Sequence, residues 1–438
     1  MSAIGLDALT AEIAAIRPVR PVGRVSALGG GTITVAGLSS EASLGDLVDF
    51  PRPGGGCLRA EVLTVSSEAI TVLADGPAEG VLIGDRAVLA GQDGIAPHES
   101  WIGRVIDPFG NALDGGPILR GTASYPLRGE PLNPTLRRGF GTRLETGMTV
   151  FNTLLPMVRG QRIGLFSGSG VGKTTLLARF ALGLQADIVV IAMIGERGRE
   201  VREFVDRVLG PSGMKRAVVV AATSDMSPMV RRRCAWAAMA VAEHFRDQGR
   251  HVLFLADSVT RFADAHREVA LASGEAGSLR GYPPSTTHMI TSLCERAGPG
   301  TESTGDITAV FSVLVAGSDM EEPVADTLRG VLDGHVVLDR KIAERGRFPA
   351  IDLLRSVSRS LPEAASADEN TLIAAARAAL GTFDRSEMMI QAGLYASGSD
   401  PAIDAAIVSY PKLDQFIARR EPADIPASFA SLAECLAG

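Results

Sequence analysis

The spacing of apolar and polar residues changes along the chain, and each spacing predicts a different kind of element. Over 4–17 apolar residues recur at helical intervals. The apolar face of this predicted helix consists of Leu6, Leu9, Ile13 and Ile16. From 22 to 95 short apolar runs such as TITVAG and AITVLA are separated by Gly, Pro and Asp, a pattern typical of a small β-barrel or sandwich.

A different pattern covers the middle and the end of the chain. A Gly- and Pro-rich stretch over 103–140 predicts a connecting segment. From 141 to 355 continuous apolar runs, such as DIVVIAMI and HVLFLAD, alternate with helical segments. Runs that are apolar on both faces suit a parallel sheet covered by helices, so an α/β fold is expected here. Beyond 360 the chain is rich in Ala, and its pattern predicts helices.

Composition narrows the class of protein. The 438 residues are 46% hydrophobic and 21% charged, which predicts a folded chain of several domains. The 43 Lys and Arg against 50 Asp and Glu give a net charge of −7, which argues against a nucleic-acid coat. The four cysteines have no metal or disulfide spacing. No apolar run reaches the roughly 18 residues of a spanning helix, and the N-terminus lacks a signal-peptide core. We therefore expect a cytoplasmic protein, for which peripheral membrane docking stays open.

Residues 163–175 (IGLFSGSGVGKTT) combine a strand, a glycine-rich turn, Lys-Thr and the start of a helix. Such a turn lets backbone N–H groups converge on phosphate oxygens, with the positive end of the helix behind them. Lys173 can then reach the β- and γ-phosphates, and the Thr174 hydroxyl can bind Mg²⁺. Ser167 stands where the strict motif has Gly, but this order of elements favours a phosphate loop over a chance turn. The predicted nucleotide contacts are Ser169, Gly170, Val171, Gly172, Lys173, Thr174 and Thr175.

Two further strand ends carry carboxylates that fit the same chemistry. Asp257 ends the run HVLFLAD, where it could hold Mg²⁺ through water or simply cap the next turn. Glu196 follows DIVVIAMI, where a carboxylate can polarise an attacking water. Glu200 and Glu203 are alternatives that the spacing places on the following helix. All three glutamates could instead belong to a solvated helix start.

An ordered series of motifs carries a resemblance that spans about 20–415. The motifs include FSGSGVGKTTLL, GERGREV, ATSDMSP, HVLFLADSVTRF, GYPPS, ERAG, GHVVLDR and FPAIDLLRSVSR. Together they resemble the catalytic heads of rotary ATP synthases. Within that superfamily they are most similar to the type III protein-export ATPases, and to the flagellar, FliI-like member in particular.

The resemblance implies a fold of three layers. A RecA-like P-loop ATPase core would stand between an N-terminal β-barrel domain and a C-terminal helical domain. The expected boundaries are 1–21 for the N-terminal helix and linker, 22–95 for the β-barrel, 96–355 for the ATPase domain and 356–438 for the helical domain.

The resemblance also implies roles for individual residues. Glu196 would activate the water, Arg197 would sense phosphate, and Asp257 would be the Walker B acid that helps to hold Mg²⁺. Arg261 would lie near the γ-phosphate. Arg359 would reach into the neighbouring subunit's site, where a planar, permanently charged guanidinium stabilises the transferring phosphoryl group.

Two residues would enclose the adenine of ATP. Phe348 is implied to stack on the base and Tyr395 to cover its other face, while a plain core phenylalanine is the alternative for Phe348. Arg355 is the alternative to Arg359 as the arginine that acts in the neighbouring subunit. Arginines on a helix surface are the simplest interpretation of both.

The implied function is ATP hydrolysis, with Mg²⁺, in a hexameric ring that energises flagellar type III protein export. The implied partners are a FliH-like stator at the N-terminal helix, a FliJ-like central stalk, and export substrates with their chaperones. The loop 277–285, with Arg280 and Tyr282, could touch the stalk or an exported chain. The ring would be cytoplasmic and peripheral on the inner membrane, with no nucleic acid bound.

Three alternatives stay in view. The first is the same enzyme in a virulence injectisome. The second is a non-catalytic nucleotide-binding subunit of a rotary head, which Glu196 together with Lys173 and Asp257 disfavours. The third is an RNA-translocating ring, which the acidic net charge and the lack of an aromatic and basic strand-binding motif disfavour.

Overall fold

A computed structural model describes residues 3–16, 18–52, 54–91, 94–315, 320–421 and 424–437. The chain forms two compact units, each made of several segments. The first unit contains 1–132, 188–248 and 256–296, and the second contains 133–187, 249–255 and 297–438. The predicted domains are continuous ranges of sequence, whereas each of these units combines several separate segments. The two divisions cannot be compared directly, so the predicted domain boundaries stay a prediction.

The elements follow one another in three stretches. The strands are β1 (Val22–Gly29), β2 (Thr32–Ala36), β3 (Leu47–Pro51), β4 (Cys57–Val65), β5 (Ala69–Ala74), β6 (Arg86–Gly91), β7 (Val105–Ile106), β8 (Arg162–Ser167), β9 (Ile188–Glu196), β10 (Ala217–Thr223), β11 (Val252–Asp257), β12 (Ile307–Leu314), β13 (Gly334–Leu338) and β14 (Ile351–Ser358). The helices are α1 (Ala3–Ala15), α2 (Thr149–Asn152), α3 (Lys173–Gly183), α4 (Gly198–Glu203), α5 (Gly210–Met214), α6 (Pro228–Asp247), α7 (Val259–Ala272), α8 (Ser285–Glu295), α9 (Pro323–Val331), α10 (Arg340–Glu344), α11 (Ala367–Gln391), α12 (Pro401–Ala418) and α13 (Ile425–Leu436).

Strands β1 to β6 form a closed antiparallel barrel in the first unit, in the order β1-β2-β5-β4-β3-β6. Buried and half-buried residues alternate along β5, because successive side chains of a strand point to opposite faces. Register shifts in β1 and β4 help the strands to bend, and closure removes the sheet edges. The inward side chains include Ile33, Val35, Val48, Phe50, Val62 and Val72. The barrel prediction is confirmed, and the sandwich alternative is wrong.

The first unit also contains the parallel strands β9, β10 and β7, in that order. β9 is buried on both faces up to its last residue, as its continuous apolar run predicts, and α6 packs against it. β7 lies inside the stretch over 103–140 that was predicted as a connecting segment, and that prediction is wrong at Val105 and Ile106. Two residues carry no period, so a sequence pattern cannot reveal so short a strand.

The second unit holds the order β14-β13-β8-β12-β11, which extends the α/β pattern. β8 is flanked by β12 and β13, both parallel to it, and β14 runs antiparallel to β13 at the edge. A central position buries β8 on both faces, so the loop that follows it starts from a fixed point. The α/β class is therefore confirmed.

Three long helices close the chain in the second unit, as the Ala-rich pattern predicts. Ser366 begins α11 with a capping box, in which its side chain and that of Glu369 bond each other's backbone N–H. Phe383 of α11 stacks on Tyr410 of α12, with ring centroids 3.7 Å apart. The N-terminal helix is also confirmed, but it ends at Ala15, so placing Ile16 on its apolar face is wrong. Arg17 lies outside the described residues. Within the described ranges, no helix is both long enough and apolar enough to span a bilayer.

Candidate active site

The glycine-rich turn joins β8 to α3 in the second unit. β8 ends at the buried Ser167, and α3 begins at Lys173 after the turn 168–172. Val171 is buried and anchors the turn, whereas Ser169, Gly170, Thr174 and Thr175 are exposed. The first N–H groups of a helix have no partner within it, so this exposed turn offers donors and a positive dipole end to an anion. The predicted order of strand, glycine-rich turn and helix is present, and the assignment of the turn to phosphate binding stays a prediction.

Gly172 fixes the shape of this turn. Its φ is +90°, which is the left-handed region that favours glycine. A Cβ added at Gly172 would lie 3.3 Å from Cδ1 of Phe348, so the aromatic ring rests against the turn. Phe348 is 45% exposed, and its interpretation as a core phenylalanine is therefore wrong. The structure brings Phe348 to the phosphate loop and leaves part of its ring open.

Asp257 ends β11, as the sequence predicts, and is 3% exposed. The residue that caps the next helix is Ser258, whose side chain accepts the backbone N–H of Arg261 at 3.4 Å. Asp257 therefore does not serve as the N-cap of α7, and the capping alternative is wrong.

Glu196 is the half-buried last residue of β9 in the first unit, and Glu200 and Glu203 lie on α4. Arg197 is exposed and donates to Oε1 of Glu200 at 2.8 Å. Partial burial raises the pKa of Glu200, but hydrogen bonds with Glu196 and Arg197 outweigh it and hold that pKa below its ordinary value. The two carboxyl groups thus lie close together, with Arg197 beside them.

Arg261 lies in the first turn of α7, also in the first unit. A Cβ added at Gly195 would lie 3.5 Å from Cβ of Arg261, so this arginine packs against the residue before Glu196. The buried Nε of Arg261 has no hydrogen-bond partner within the described chain. The fold therefore brings Glu196, Arg197 and Arg261 into one neighbourhood from two separate motifs.

Arg355 and Arg359 belong to the edge of the second unit. Arg355 lies within β14 and Arg359 directly follows it, and both are exposed. Neither lies on a helix, so the helix-surface interpretation is wrong for both. Arg359 donates to the backbone O of Arg329 at 3.1 Å, and Nη1 of Arg355 stands 4.0 Å from Oδ2 of Asp339.

Tyr395 lies in the loop between α11 and α12. Its hydroxyl lies 3.0 Å from Oδ1 of Asp404 and 3.0 Å from the backbone O of Asp400. These contacts fix the tyrosine to the start of α12. The Tyr395 hydroxyl is thus held at the start of α12, whereas the ring of Phe348 rests against the phosphate loop.

The loop 277–285 contains two of the predicted partner contacts. Arg280 has a φ of +51°, and the Tyr282 hydroxyl donates to Oδ1 of Asp264 at 2.8 Å. The guanidinium of Arg267 lies 4.8 Å from the centre of the Tyr282 ring. Tyr282 is thus held within its own chain.

The sequence analysis missed Arg347, which holds the segment around Phe348. Its guanidinium donates to the backbone O of Pro349 and of Ile351, each at 2.9 Å, and to Oδ1 of Asp414 at 3.1 Å. Burial lowers the pKa of this arginine, while Asp414 raises it. Asp414 is remote in sequence, so no local spacing could have signalled the pair.

The chemistry of the donors is suited to Mg²⁺. In the part of the chain that the structure describes, no three His, Cys, Asp or Glu side chains gather into a metal site. The Thr174 hydroxyl and the Asp257 carboxylate are hard oxygen donors, and Mg²⁺ is commonly held by one or two such groups together with phosphate oxygens and waters. Each group is thus, by itself, a donor of the class that Mg²⁺ prefers.

Comparison with known proteins places the chain in a family. Residues 147–358 match the nucleotide-binding domain of the ATP synthase alpha/beta family, and residues 365–434 match the C-terminal domain of the type III secretion ATPase EscN. The flagellum-specific ATP synthase of Caulobacter vibrioides is 41% identical over 98% of this chain and 99% of its own length. The chain belongs to the flagellar type III protein-export ATPase family.

Solved structures agree with this membership. The assembled ATPase EscN of enteropathogenic E. coli is similar to this chain, with a TM-score of 0.85 and 35% identity. The match covers 95% of this chain and all of the EscN chain. A second structure shows EscN in complex with its central stalk EscO, with the same TM-score, identity and coverage. Barrel, nucleotide-binding core and C-terminal helices therefore have counterparts in one relative.

Proposed function

We propose that this export ATPase hydrolyses ATP to energise protein export through a flagellar type III apparatus. The observation that carries the proposal is the phosphate loop, set in a chain that aligns from end to end with a flagellum-specific relative. The injectisome alternative has less support, because EscN is 35% identical whereas the flagellar relative is 41% identical.

The phosphate loop binds the triphosphate in this proposal. The backbone N–H groups of 169–175 and the Lys173 ammonium surround the β- and γ-phosphates. The Thr174 hydroxyl and, through water, the Asp257 carboxylate hold Mg²⁺, which neutralises charge on the phosphates. Phe348 stacks on the adenine from its position against Gly172, and Tyr395 covers the other face.

Hydrolysis then needs an activated water and positive groups that compensate the negative charge on the transferring γ-phosphate. Glu196 orients the water and accepts its proton, because water is a weak nucleophile at neutral pH. Arg197 and Arg261 lie beside Glu196 in the first unit, and we assign them to sensing and stabilising the γ-phosphate. Arg359 supplies its guanidinium to the site of the neighbouring subunit, which its exposed position at the edge strand β14 permits.

An arginine that acts in a neighbouring subunit requires an assembly. We propose a homohexameric ring around a FliJ-like central stalk, which the loop 277–285 contacts, by analogy with EscN and its stalk EscO. The N-terminal helix would dock a FliH-like stator, since Leu6, Leu9 and Ile13 are each more than half exposed. Export substrates with their chaperones would be the cargo, and the ring would lie at the cytoplasmic face of the inner membrane.

The test is steady-state phosphate release with Mg-ATP across a series of enzyme concentrations, for wild type and for Glu196→Gln. We expect specific activity to rise with concentration as rings assemble, and the substituted chain to lose turnover while it still binds ATP. Glu203→Gln, on the exposed side of α4, is the matched control and should stay active. A wild-type chain that binds ATP but shows no turnover at any concentration would instead support a non-catalytic subunit.

A further inference from the structure

Arg179, in helix α3 of the second unit, has a guanidinium whose charge is not compensated within the described chain. Its Nε and Nη1 are buried and have no hydrogen-bond partner. None of the described carboxylates forms an ion pair with it. Such an arrangement is destabilising, because N–H groups that leave water need acceptors and a buried charge needs a counter-charge.

This combination is uncommon among the described arginines. Buried guanidinium nitrogens without a hydrogen-bond partner occur at Arg138, Arg162, Arg179, Arg232 and Arg261. Carboxylate partners of three of them are Asp306 for Arg138, Asp333 for Arg162 and Glu61 for Arg232. The other two are Arg179 and Arg261, and Arg261 is the arginine that we assign above to the γ-phosphate. Arg179 thus shares with Arg261 a guanidinium that lacks an anion.

Arg420 supplies a second positive charge at this place. It is exposed, and no described side chain pairs with it. Burial, and then the charge of Arg420, lowers the pKa of Arg179, so the two guanidinium groups act on each other. The carboxylate that follows, Glu421, has its Oε2 3.9 Å from Nη2 of Arg419. Two like charges therefore lie together and neither has a described carboxylate partner.

The backbone at 146–148 holds Arg420 in position. Arg420 forms a β-bridge with Met148, and the N–H of Glu421 donates to the backbone O of Gly147 at 3.2 Å. A Cβ added at Gly147 would meet no atom within 4 Å, so there is open space beside this segment.

Helix α3 packs on the same segment. A Cβ added at Gly183 would lie 2.7 Å from the backbone O of Thr146, so this face of the helix contacts the segment. Arg179 precedes Gly183 by four residues and therefore lies on the same face of α3. The rings of Phe180 and Phe151, with centroids 4.9 Å apart, fix the helix against α2. Packing thus brings Arg179 and Arg420 to one short segment.

We infer that Arg179 and Arg420 form a binding site for a small oxyanion of the phosphate class, beside the segment 146–148. Arg179 donates to the anion as a bidentate fork, and the exposed Arg420 closes the site from the solvent side. Because no hydrogen bond within the described chain holds the Arg179 guanidinium, turning it towards the open space at Gly147 breaks none.

The two charges select the class of anion. A tetrahedral dianion compensates both guanidinium groups, whereas the single charge of a carboxylate leaves one of them uncompensated. Neither arginine is assigned to the proposed nucleotide site, so the inference does not depend on ATP hydrolysis.

The test measures thermal unfolding of the full chain, saturated with Mg-ADP, across a series of inorganic phosphate concentrations. Chloride at equal ionic strength is the reference. A ligand that binds only the folded chain raises the unfolding midpoint with its concentration, which gives an apparent affinity. We expect phosphate to raise the midpoint of wild type, and Arg179→Met and Arg420→Gln each to weaken the apparent affinity about tenfold. Acetate should leave the midpoint at its chloride value.

Two comparisons isolate the site. Arg385→Gln is the matched control, because Arg385 is an exposed arginine of the same unit that donates to Oγ1 of Thr382 at 3.3 Å, and it should bind phosphate like wild type. In chloride alone, Arg179→Met should be at least as stable as wild type, because it removes buried N–H groups that have no partner.

Four results would overturn the inference. They are a wild-type midpoint that phosphate does not raise, an equal rise with acetate, an unchanged phosphate affinity in Arg420→Gln, and a large loss of stability of Arg179→Met in chloride. The last result would show that the Arg179 guanidinium serves the fold without an anion.

Discussion

The ring of Phe348 lies against Gly172, with 3.3 Å between its Cδ1 and the position that a Cβ at Gly172 would occupy. The phosphate loop and the proposed adenine contact are therefore directly coupled in the second unit. Any side chain at Gly172 must both adopt a φ of +90° and displace the aromatic ring.

Gly172→Ala should reduce ATP affinity about tenfold, because a left-handed alanine costs roughly 1–2 kcal/mol and the ring of Phe348 has to move. The measurement is equilibrium binding of a fluorescent ATP analogue. Gly330→Ala is the control, since a Cβ at this position in α9 meets nothing within 4 Å. Equal affinities of the two variants would show that the packing on Gly172 has no effect on the nucleotide.

Mixing two inactive variants tests whether Arg359 acts in a neighbouring subunit. Glu196→Gln and Arg359→Ala should each be inactive alone, whereas a mixture should regain turnover. In randomly mixed rings about a quarter of the interfaces pair an intact Glu196 with an intact Arg359 from the next subunit. The measurement is phosphate release after the two chains are mixed and assembled.

The control for this experiment mixes Glu196→Gln with Lys173→Ala. Both residues serve the site of their own chain in the proposal, so no interface regains both, and no turnover should return. Recovery in this control, or none in the first mixture, contradicts the assignment of Arg359.

The buried pair of Arg296 and Glu243 should contribute strongly to stability. Arg296 is 2% exposed and donates to both carboxylate oxygens of Glu243, at 2.9 and 2.6 Å. Arg296→Met should destabilise the first unit by about 3–5 kcal/mol, because it leaves a carboxylate buried without this partner. The measurement is thermal unfolding of the full chain.

Two variants calibrate that result. The double variant Arg296→Met with Glu243→Met should be less destabilised than the single one, because the Glu243 carboxylate is no longer buried without Arg296 and the neighbouring Arg246 keeps its ion pair with Asp247 at 2.7 Å. Arg340→Gln removes an exposed partner of Glu344 and should change stability by less than about 1 kcal/mol. If Arg296→Met is at least as stable as the double variant, a buried carboxylate without its partner is not the cause of the destabilisation.

Stability should fall when the pH is lowered below about 6.5, in part because of His251. This side chain is buried, its Nε2 lies 2.8 Å from Oγ1 of Thr308, and burial followed by the charge of Arg159 lowers its pKa to about 4. Between that value and an unfolded pKa of about 6.5, the unfolded chain binds more protons than the folded chain. The free energy of unfolding therefore decreases as the pH falls through this window.

His251→Gln should remove roughly 2 kcal/mol of the stability difference between pH 7 and pH 5, as measured by denaturant unfolding at both values. His266, whose pKa is also lowered to about 4, contributes in the same direction and remains in this variant. His288→Gln, at an exposed position, is the control and should retain the wild-type dependence on pH. An unchanged difference in the His251 variant would exclude this histidine as a cause.

The sequence by itself determined the classes of element and the ends of the strands that carry chemistry. Continuous apolar runs such as that of β9 identify strands buried on both faces. The turn 168–172 is recognisable as a phosphate-loop candidate because its glycines and the following Lys-Thr are adjacent in the chain. Placing Glu196 and Asp257 at strand ends also needed only local pattern. These features depend on neighbours in sequence, so reading along the chain is sufficient.

Only the tertiary structure decided which distant groups meet. It packs Phe348 against Gly172 and pairs Arg347 with Asp414. It also brings Arg128 and Arg232 into hydrogen bonds with Glu61. It also paired β7 with β10, although two residues carry no pattern. Contacts of this kind depend on how elements pack, and packing is set by the whole set of buried side chains rather than by any local spacing.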